Sequence, residues 1–374
     1  MPRIELVNGD LDRAVALVKA EIAEFNWSGP GGAGAEVLGA YDGQDLVACL
    51  HWSTRPVAWF GEHTVLGQAG PGATAPSHRG RGIMRALLWR VLNRMRERGL
   101  ALAGQQTPIV DYHRRTGWEL VSYERSHRLD GPLRAPAAAP PCRPVAPAAV
   151  PALHGFWNRT IAGRPLASWR VTGDWTSLTD GATPLVAAGR NGAALGYARG
   201  LRPGPAGGCR IGELVAVDAA ATAALLAAAA EATPGSPPGP IEWWSPPGDG
   251  HDLRPALGPQ VHGAVVYDKM LRVVDAGAVL GRIAAQCPVG PAARVRVLDP
   301  LCAWNHRDFA LGTGTAADRP DLTVDVRTLA RLAAGVVASS AFTAHTCAGA
   351  ALIERLAAAF DRYRACPAWL PDPM

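Results

Sequence analysis

Lysine is almost missing from this 374-residue chain: Lys19 and Lys269 are the only two, and the rest of the positive charge is arginine. The formal excess of +5 is modest and spread along the chain. That is weak ground for nucleic-acid binding and suits an anionic small ligand equally well. Long apolar runs are missing too. None reaches the roughly 18–20 residues that cross a bilayer, and the opening Met1-Pro2-Arg3-Ile4-Glu5 carries no signal-peptide core. The expectation is a cytoplasmic protein with no membrane partner. The cysteines, at 49, 142, 209, 287, 302, 347 and 366, are odd in number and show no C-x-x-C spacing. A disulfide framework and a zinc site are both disfavoured. The histidines have no metal-ligand spacing, so no metal is expected. No Gly-x-Ser-x-Gly occurs, which removes the hydrolase elbow.

What is present is a large apolar fraction, 48% of residues, enough for a sizeable core. At roughly 100–200 residues per domain, the length suggests two or three domains. Leu11, Val15, Val18 and Ile22 make a helical face over 11–25. Strand-like runs at 36–41 and 46–52 flank Asp42-Gly43, a hairpin signal. Another strand falls near 63–68. Ile83, Leu87, Leu88, Val91, Leu92 and Met95 mark a helix that ends at Gly99, and 100–104 reads as the next strand. Residues 131–151 hold seven prolines and read as a linker or extended crossing segment. Beyond it the order recurs: strands at 185–188 and 195–199 around Asn191-Gly192, a strand at 211–217, a helix over 219–232 and a strand at 242–244. This suggests a second, degenerate copy of the first fold. Strands near 265–273, 294–298 and 322–326 follow, with helices near 276–285, 327–338 and 350–363.

The sharpest motif is Ser77-His78-Arg79-Gly80-Arg81-Gly82-Ile83-Met84-Arg85, between a strand and a strongly amphipathic helix. A glycine-punctuated turn opening a helix presents backbone N–H groups and the positive end of the helix dipole. Arg79, Arg81 and Arg85 add fixed charge, so such a turn can cradle a diphosphate. The similar spacing Arg96-x-x-Gly99-x-Ala101 falls at a helix end, where the dipole has the wrong sign. Further on, Tyr112-His113-Arg114-Arg115-Thr116-Gly117-Trp118-Glu119 reads as a short helix running into a strand.

Arg79-x-x-Gly82-x-Met84 resembles the acyl-CoA loop (Q/R-x-x-G-x-G/A) of the GNAT superfamily of N-acetyltransferases, departing only at Met84. Tyr112–Glu119 resembles its F-Y-x-x-x-G-[FY]-E segment. The whole chain resembles the Eis (enhanced intracellular survival) family. The segments that carry this are Thr74–Gly82, Gly212-Glu-Leu-Val-Ala-Val217, Tyr267-Asp-Lys-Met-Leu-Arg-Val-Val274 and Pro320–Leu329. The resemblance implies an α/β (α+β) chain with two tandem GNAT-like folds, the second degenerate, followed by a sterol-carrier-like α/β domain. The bounds would be 1–130 for the GNAT domain with the acyl-CoA site, 131–152 for the linker, 153–264 for the degenerate domain and 265–374 for the C-terminal domain, its tail inserted in the active site. It also implies acetyl-CoA or another acyl-CoA as donor, and a homo-oligomer, in the family often a hexamer. The acceptor would be a small-molecule amine such as an aminoglycoside, a polyamine or an antibiotic-pathway intermediate.

Carried over residue by residue, Gly72, Ala73 and Thr74 hold the acyl thioester, and Arg79, Gly80, Arg81, Gly82, Ile83, Met84 and Arg85 hold the diphosphate. The base is the terminal carboxylate of Met374, with Asp372 as a neighbour able to raise its pKa or replace it. The family's tyrosine acid falls on His113, a departure; Tyr112 serves if the frame shifts by one. Glu24, Trp27 and Glu36 would line the amine pocket, and Glu21 reads as a solvated helix face. The small residues Gly70-Pro71-Gly72-Ala73-Thr74 stand where relatives carry bulkier ones, which suggests a roomier acyl pocket. Two other readings remain open at this point: a GNAT-fold transferase using aminoacyl-tRNA, and a binding module without catalysis. No second CoA site is expected, because residues 153–264 contain no phosphate loop in context.

Overall fold

The structure, a computed structural model, describes the chain apart from residues 1, 8, 23–26, 28, 31–32, 131–132, 134–138, 147–148, 162–165, 169–184, 189–192, 205–206, 234–238, 246–260, 287–292, 312–317, 336–341, 346 and 361–374. It forms two compact units. One comprises Met1–Ser122, Arg164–Ser168 and Asp268–Met374; the other comprises Tyr123–Gly163 and Trp169–Tyr267. This division differs from bounds at 130, 152 and 264, because the C-terminal segment packs with the first fold. Trp59, Leu66 and Leu102 share one apolar core with Val279, Ile283, Val295, Val324 and Leu329, and burying that surface outweighs separation into independent domains.

In the first unit, strands β1 (Arg3–Leu6), β2 (Ala33–Asp42), β3 (Asp45–Trp59) and β4 (Glu62–Thr74) pair antiparallel in sequence order. Gly43 turns the first long hairpin with φ +62°, a conformation that favours glycine. β5 (Leu102–Thr107) runs parallel to β4, and Asp268–Val273 run antiparallel to β5. Side chains alternate along β3. Leu50 and Trp52 join Leu87, Leu88, Val91 and Leu92 of helix α2 (Ile83–Glu97) on one face. Cys49 joins Ala14 and Val18 of helix α1 (Leu11–Glu21) on the other. The helix expected over 11–25 thus spans Leu11–Glu21, and residues 23–26 lie outside the described part.

The C-terminal part of this unit has a four-stranded sheet in the order Asp308–Leu311, Ala293–Leu298, Leu322–Asp325, Thr343–Ala344. Helices Ala276–Gln286, Val326–Ala333 and Cys347–Phe360 accompany it. A buried pair anchors its start: Arg272 Nη2 donates to both Asp299 oxygens at 2.7 Å. Asp299 also accepts from the backbone N–H of Leu301 and Cys302. Such a network suits burial because each charge is met. In the second unit, Ile241–Ser245, Cys209–Ala216, Ala194–Pro203, Leu185–Ala188 and Cys142–Pro144 form successive neighbours in a sheet. Helix Ala219–Ala232 packs on it through Ala221, Leu225, Leu226 and Ala229. The hairpin, strand, helix and strand expected there are present; Asn191-Gly192 lie outside the described residues.

Candidate active site

The site begins where β4 and β5 part. They pair at Gly67 with Ala103 and at Gln68 with Gly104, and no further. Beyond that point β5 is paired with Asp268–Val273 on its other side. Ala69, Gly72, Ala73 and Thr74 pair with β3 alone among the described residues. The register slips between Leu50 and Trp52, so that Gly70 and Pro71 bulge opposite His51. A bulge next to a splayed edge re-aims backbone groups into the gap. This edge is free to hold an extended ligand arm by strand-like hydrogen bonds.

The turn after β4 delivers the anion site. Gly80 and Gly82 take φ +75° and +76°, which explains the glycine at both places. An added Cβ would meet nothing within 4 Å at either, so the turn is open to a ligand. Gly82 caps α2 without a side-chain hydrogen bond, and no acidic residue stands in the first turn. Ala86 N–H is the first to find a helical carbonyl, that of Gly82 at 3.0 Å. The N–H groups of Ile83, Met84 and Arg85 precede it and project from a helix of 15 residues. Arg81 and Arg85 are exposed beside them. Arg79 is also exposed, donates through Nε to the Thr74 carbonyl at 3.2 Å and pairs with Glu21. Glu21, read from sequence as a solvated face, is therefore a partner of the loop. Gly99 lies past the end of α2, which removes the second, similar spacing.

Of the small residues 70–74 expected to leave a roomier acyl pocket, Gly70 has open space, where an added Cβ would meet nothing within 4 Å, and Gly72 does not. A Cβ there would lie 2.7 Å from Leu50 Cδ1 and 3.3 Å from Met84 Cε. The space that glycine leaves is already filled by these two side chains, and Met84 does the filling from the position where the loop departs from the family pattern.

Tyr112 and His113 lie on the short helix α3 (Val110–Arg114), their rings 5.0 Å apart and edge to face. His113 also packs edge-on to Trp118 at 6.2 Å. Burial pushes its imidazolium pKa down to about 4, and its Nδ1 is buried with no partner among the described residues. At neutral pH the ring is uncharged, so a role as imidazolium acid is not supported. Burial raises the Tyr112 phenol, while the charge of Arg85 acts to lower it. Gly117, at φ +84°, ends this turn. A Cβ on it would come within 2.9 Å of the Arg272 guanidinium carbon.

The described members of the expected amine pocket, Trp27 and Glu36, do not form a free acidic wall. Glu36 accepts from Arg94 Nε at 2.8 Å and Trp52 Nε1 at 3.2 Å, and pairs with Arg98. Its charge ties β2 to α2 and is not available to a cationic amine. Trp27 is only 5% exposed, packed with Val37, Cys49 and Ala73; it forms a wall and not an open stacking face. Glu24 and Met374 lie outside the described residues. Sequence reasoning missed His51. It is 3% exposed, donates through Nδ1 to the Gly70 carbonyl at 2.8 Å and lies 5.7 Å from the Trp27 ring. The available signal was a histidine amid the apolar run Val47-Ala-Cys-Leu-His51-Trp52.

Comparison with known proteins accords with this geometry. Residues 18–121 match the acetyltransferase (GNAT) domain family, and 281–367 match the sterol carrier protein domain family. No curated protein sequence matches the chain. Among solved structures, a probable N-acyltransferase from Enterococcus faecalis has a TM-score of 0.75 at 15% identity, covering 99% of this chain and 97% of that one. A GCN5-related N-acetyltransferase from Anabaena variabilis has 0.72 at 15%, covering 99% and 98%. Eis1 from Mycobacterium abscessus has 0.70 at 20%, covering 99% of both chains. Residues 18–121 form a GNAT-type acetyltransferase domain, and the chain is an enzyme of a class whose donor is in general an acyl-CoA. Its full-length fold is Eis-like: two tandem GNAT-like folds and a sterol-carrier-like region.

Proposed function

We propose that the protein transfers an acetyl or other small acyl group from acyl-CoA to the amine of a small molecule. The observation that carries this is the open, uncapped turn at Gly80–Gly82, set directly after the unpaired edge of β4. The diphosphate would lie against the N–H groups of residues 83–85 and the charges of Arg79, Arg81 and Arg85. The thioester arm would run along Gly72–Thr74, whose backbone N–H groups polarise the carbonyl. Leu50 and Met84, filling the space beside Gly72, favour a short acyl chain and acetyl-CoA as donor.

In this reading the amine nitrogen attacks the thioester carbon and forms the C–N bond. The C–S bond then breaks, and CoA leaves as thiolate. The terminal carboxylate of Met374 takes the amine proton. Its ordinary pKa of roughly 3.3–3.7 must be raised by desolvation for that task. Tyr112 donates a proton to the thiolate: its phenol is protonated at neutral pH, and the nearby Arg85 steadies the charge that develops on it. The acceptor class is an aminoglycoside, a polyamine or an antibiotic-pathway intermediate, acylated by a cytoplasmic homo-oligomer.

The test is free-thiol release from acetyl-, propionyl- and longer acyl-CoA with a mixed amine library, with products identified by mass spectrometry. A variant lacking the last two residues should lose turnover and keep CoA binding. Absence of both thiol release and CoA binding would overturn the reading.

A further inference from the structure

Arg85, on the first turn of α2, donates through Nη2 to the carbonyl of Pro300 at 2.9 Å. Pro300 is one wall of a cavity of about 400 Å³ in the same compact unit. Arg114 and Arg115, the two residues after His113, also line it, with His306 and Arg327 contributed by the sterol-carrier-like region. The cavity thus starts where the diphosphate turn stops, one side chain's length away.

The polar groups of the lining suit an anion. Two carboxylates reach the cavity, and both are already held. Asp299 is gripped by the buried Arg272 and two backbone N–H groups. Asp325 accepts from the backbone N–H and Nε of Arg327 at 2.8 and 2.9 Å. Arg115 is exposed and makes no ion pair among the described residues. The His306 ring is oriented as well. Its Nδ1 accepts from the Asp299 backbone N–H at 3.2 Å, which puts the proton of the neutral ring on Nε2 as a donor. Arg115 therefore supplies the unneutralised charge and a guanidinium fork; the lining adds an imidazole N–H and the remaining N–H groups of Arg114 and Arg327, which are held through Nε by Glu119 and Asp325. Forked guanidinium donors of this kind match phosphate oxygens.

We propose that this cavity receives the 3′-phosphate on the adenosine end of acyl-CoA, so that the sterol-carrier-like region completes the donor site of the GNAT fold. The proposal rests on the acyl-CoA reading above and adds a third phosphate contact to it. Two phosphates of the carrier lie at the turn; the adenosine follows them, and its own phosphate enters between Arg115 and Arg327.

The experiment is calorimetry on the full chain with CoA and with dephospho-CoA, which lacks only the 3′-phosphate. CoA should bind roughly tenfold more tightly, the gain from charge-assisted hydrogen bonds to one phosphate. Arg115→Ala and Arg327→Ala should each reduce the affinity for CoA towards that for dephospho-CoA and leave the latter unchanged. Arg115 is exposed and its replacement should not disturb folding; if Arg327→Ala lowers Tm, Arg115→Ala carries the test. Equal binding of the two nucleotides by the unaltered protein, or a preference that survives in Arg115→Ala, overturns this proposal while the donor reading stands. Failure of both nucleotides to bind overturns the donor reading and this one with it.

Discussion

The chain builds the same strand–turn–helix unit twice and opens only one of the two helices to a ligand. In the first unit, β4 leads through Arg79-Gly80-Arg81-Gly82 into α2, whose N-terminus has neither a side-chain cap nor an acid in its first turn. In the second, Cys209–Ala216 lead through Asp218 into helix Ala219–Ala232, and the Asp218 carboxylate accepts from Ala221 N–H at 2.7 Å. A carboxylate there satisfies the orphan donors and cancels the positive end of the dipole. The strands differ in the same sense. Tyr197, Arg199 and Glu213 of the second sheet bind one another, at 2.6 Å for the tyrosine and 2.8 Å for Arg199 Nε, so polar capacity is spent internally. Topology is shared; the capacity to hold an anion lies in a handful of residues at one helix start.

The harshest test of this contrast is to give the first helix the second one's chemistry. Gly82→Asp adds a carboxylate at the cap and forces an L-residue into φ +76°. Strain of about 1–2 kcal/mol, plus repulsion of a phosphate, should lower kcat/KM for acyl-CoA on the order of a thousandfold. Calorimetry should show lost CoA binding with the far-ultraviolet spectrum intact. A variant that still binds CoA would place the diphosphate elsewhere.

A second, smaller effect separates the two candidate acids. Tyr112→Phe should lower kcat by roughly a hundredfold with little change in KM, the usual worth of a general acid. His113→Gln should cost no more than a few-fold, because the ring is already neutral. The reverse ranking would return the acid role to His113.

The hydrophobic periodicity of α2 and the glycine–arginine turn were legible because both are local: spacing fixes the face, and positive φ fixes the glycines. The frame Tyr112–Trp118 was legible as a helix and strand, but which ring could carry a proton was not, because the low pKa of His113 arises from burial that only the assembled fold provides. Glu36 misled for a similar reason. The family resemblance implies that it lines an amine site, yet Arg94 and Arg98, some sixty residues later, neutralise it. The short strands Asp308–Leu311 and Thr343–Ala344 were invisible because so few residues carry no readable alternation.

His113 also supplies a stability signature. Its pKa falls from 6.5 in the unfolded chain to about 4 in the fold, so below 6.5 the unfolded state binds the extra proton. Stability is full above pH 6.5 and is lost as pH falls towards 4, by roughly 2–3 kcal/mol. Urea unfolding at pH 7.5 and pH 4.5 should therefore show a larger acid loss for the unaltered protein than for His113→Gln. Equal losses would mean that the ring is solvated.

The mildest test addresses the second helix. Asp218→Ala removes the cap of Ala219–Ala232 and should destabilise the second unit by about 1 kcal/mol, read as a lower urea midpoint with an unchanged slope. It should confer no binding of CoA, because freeing N–H groups is only part of an anion site. The preceding residues Val215-Ala216-Val217 hold no glycine to turn the backbone outward and no arginine to add charge. The adjacent strand splays as β4 does: Cys209–Ile211 pair with Ile241–Trp243, while Glu213–Ala216 pair with Ala194–Pro203 alone among the described residues, so the open strand edge is common to both copies and the turn is what differs. If Asp218→Ala did acquire affinity for CoA, the cap alone would separate the two copies, and the turn's arginines would matter less than the open helix end.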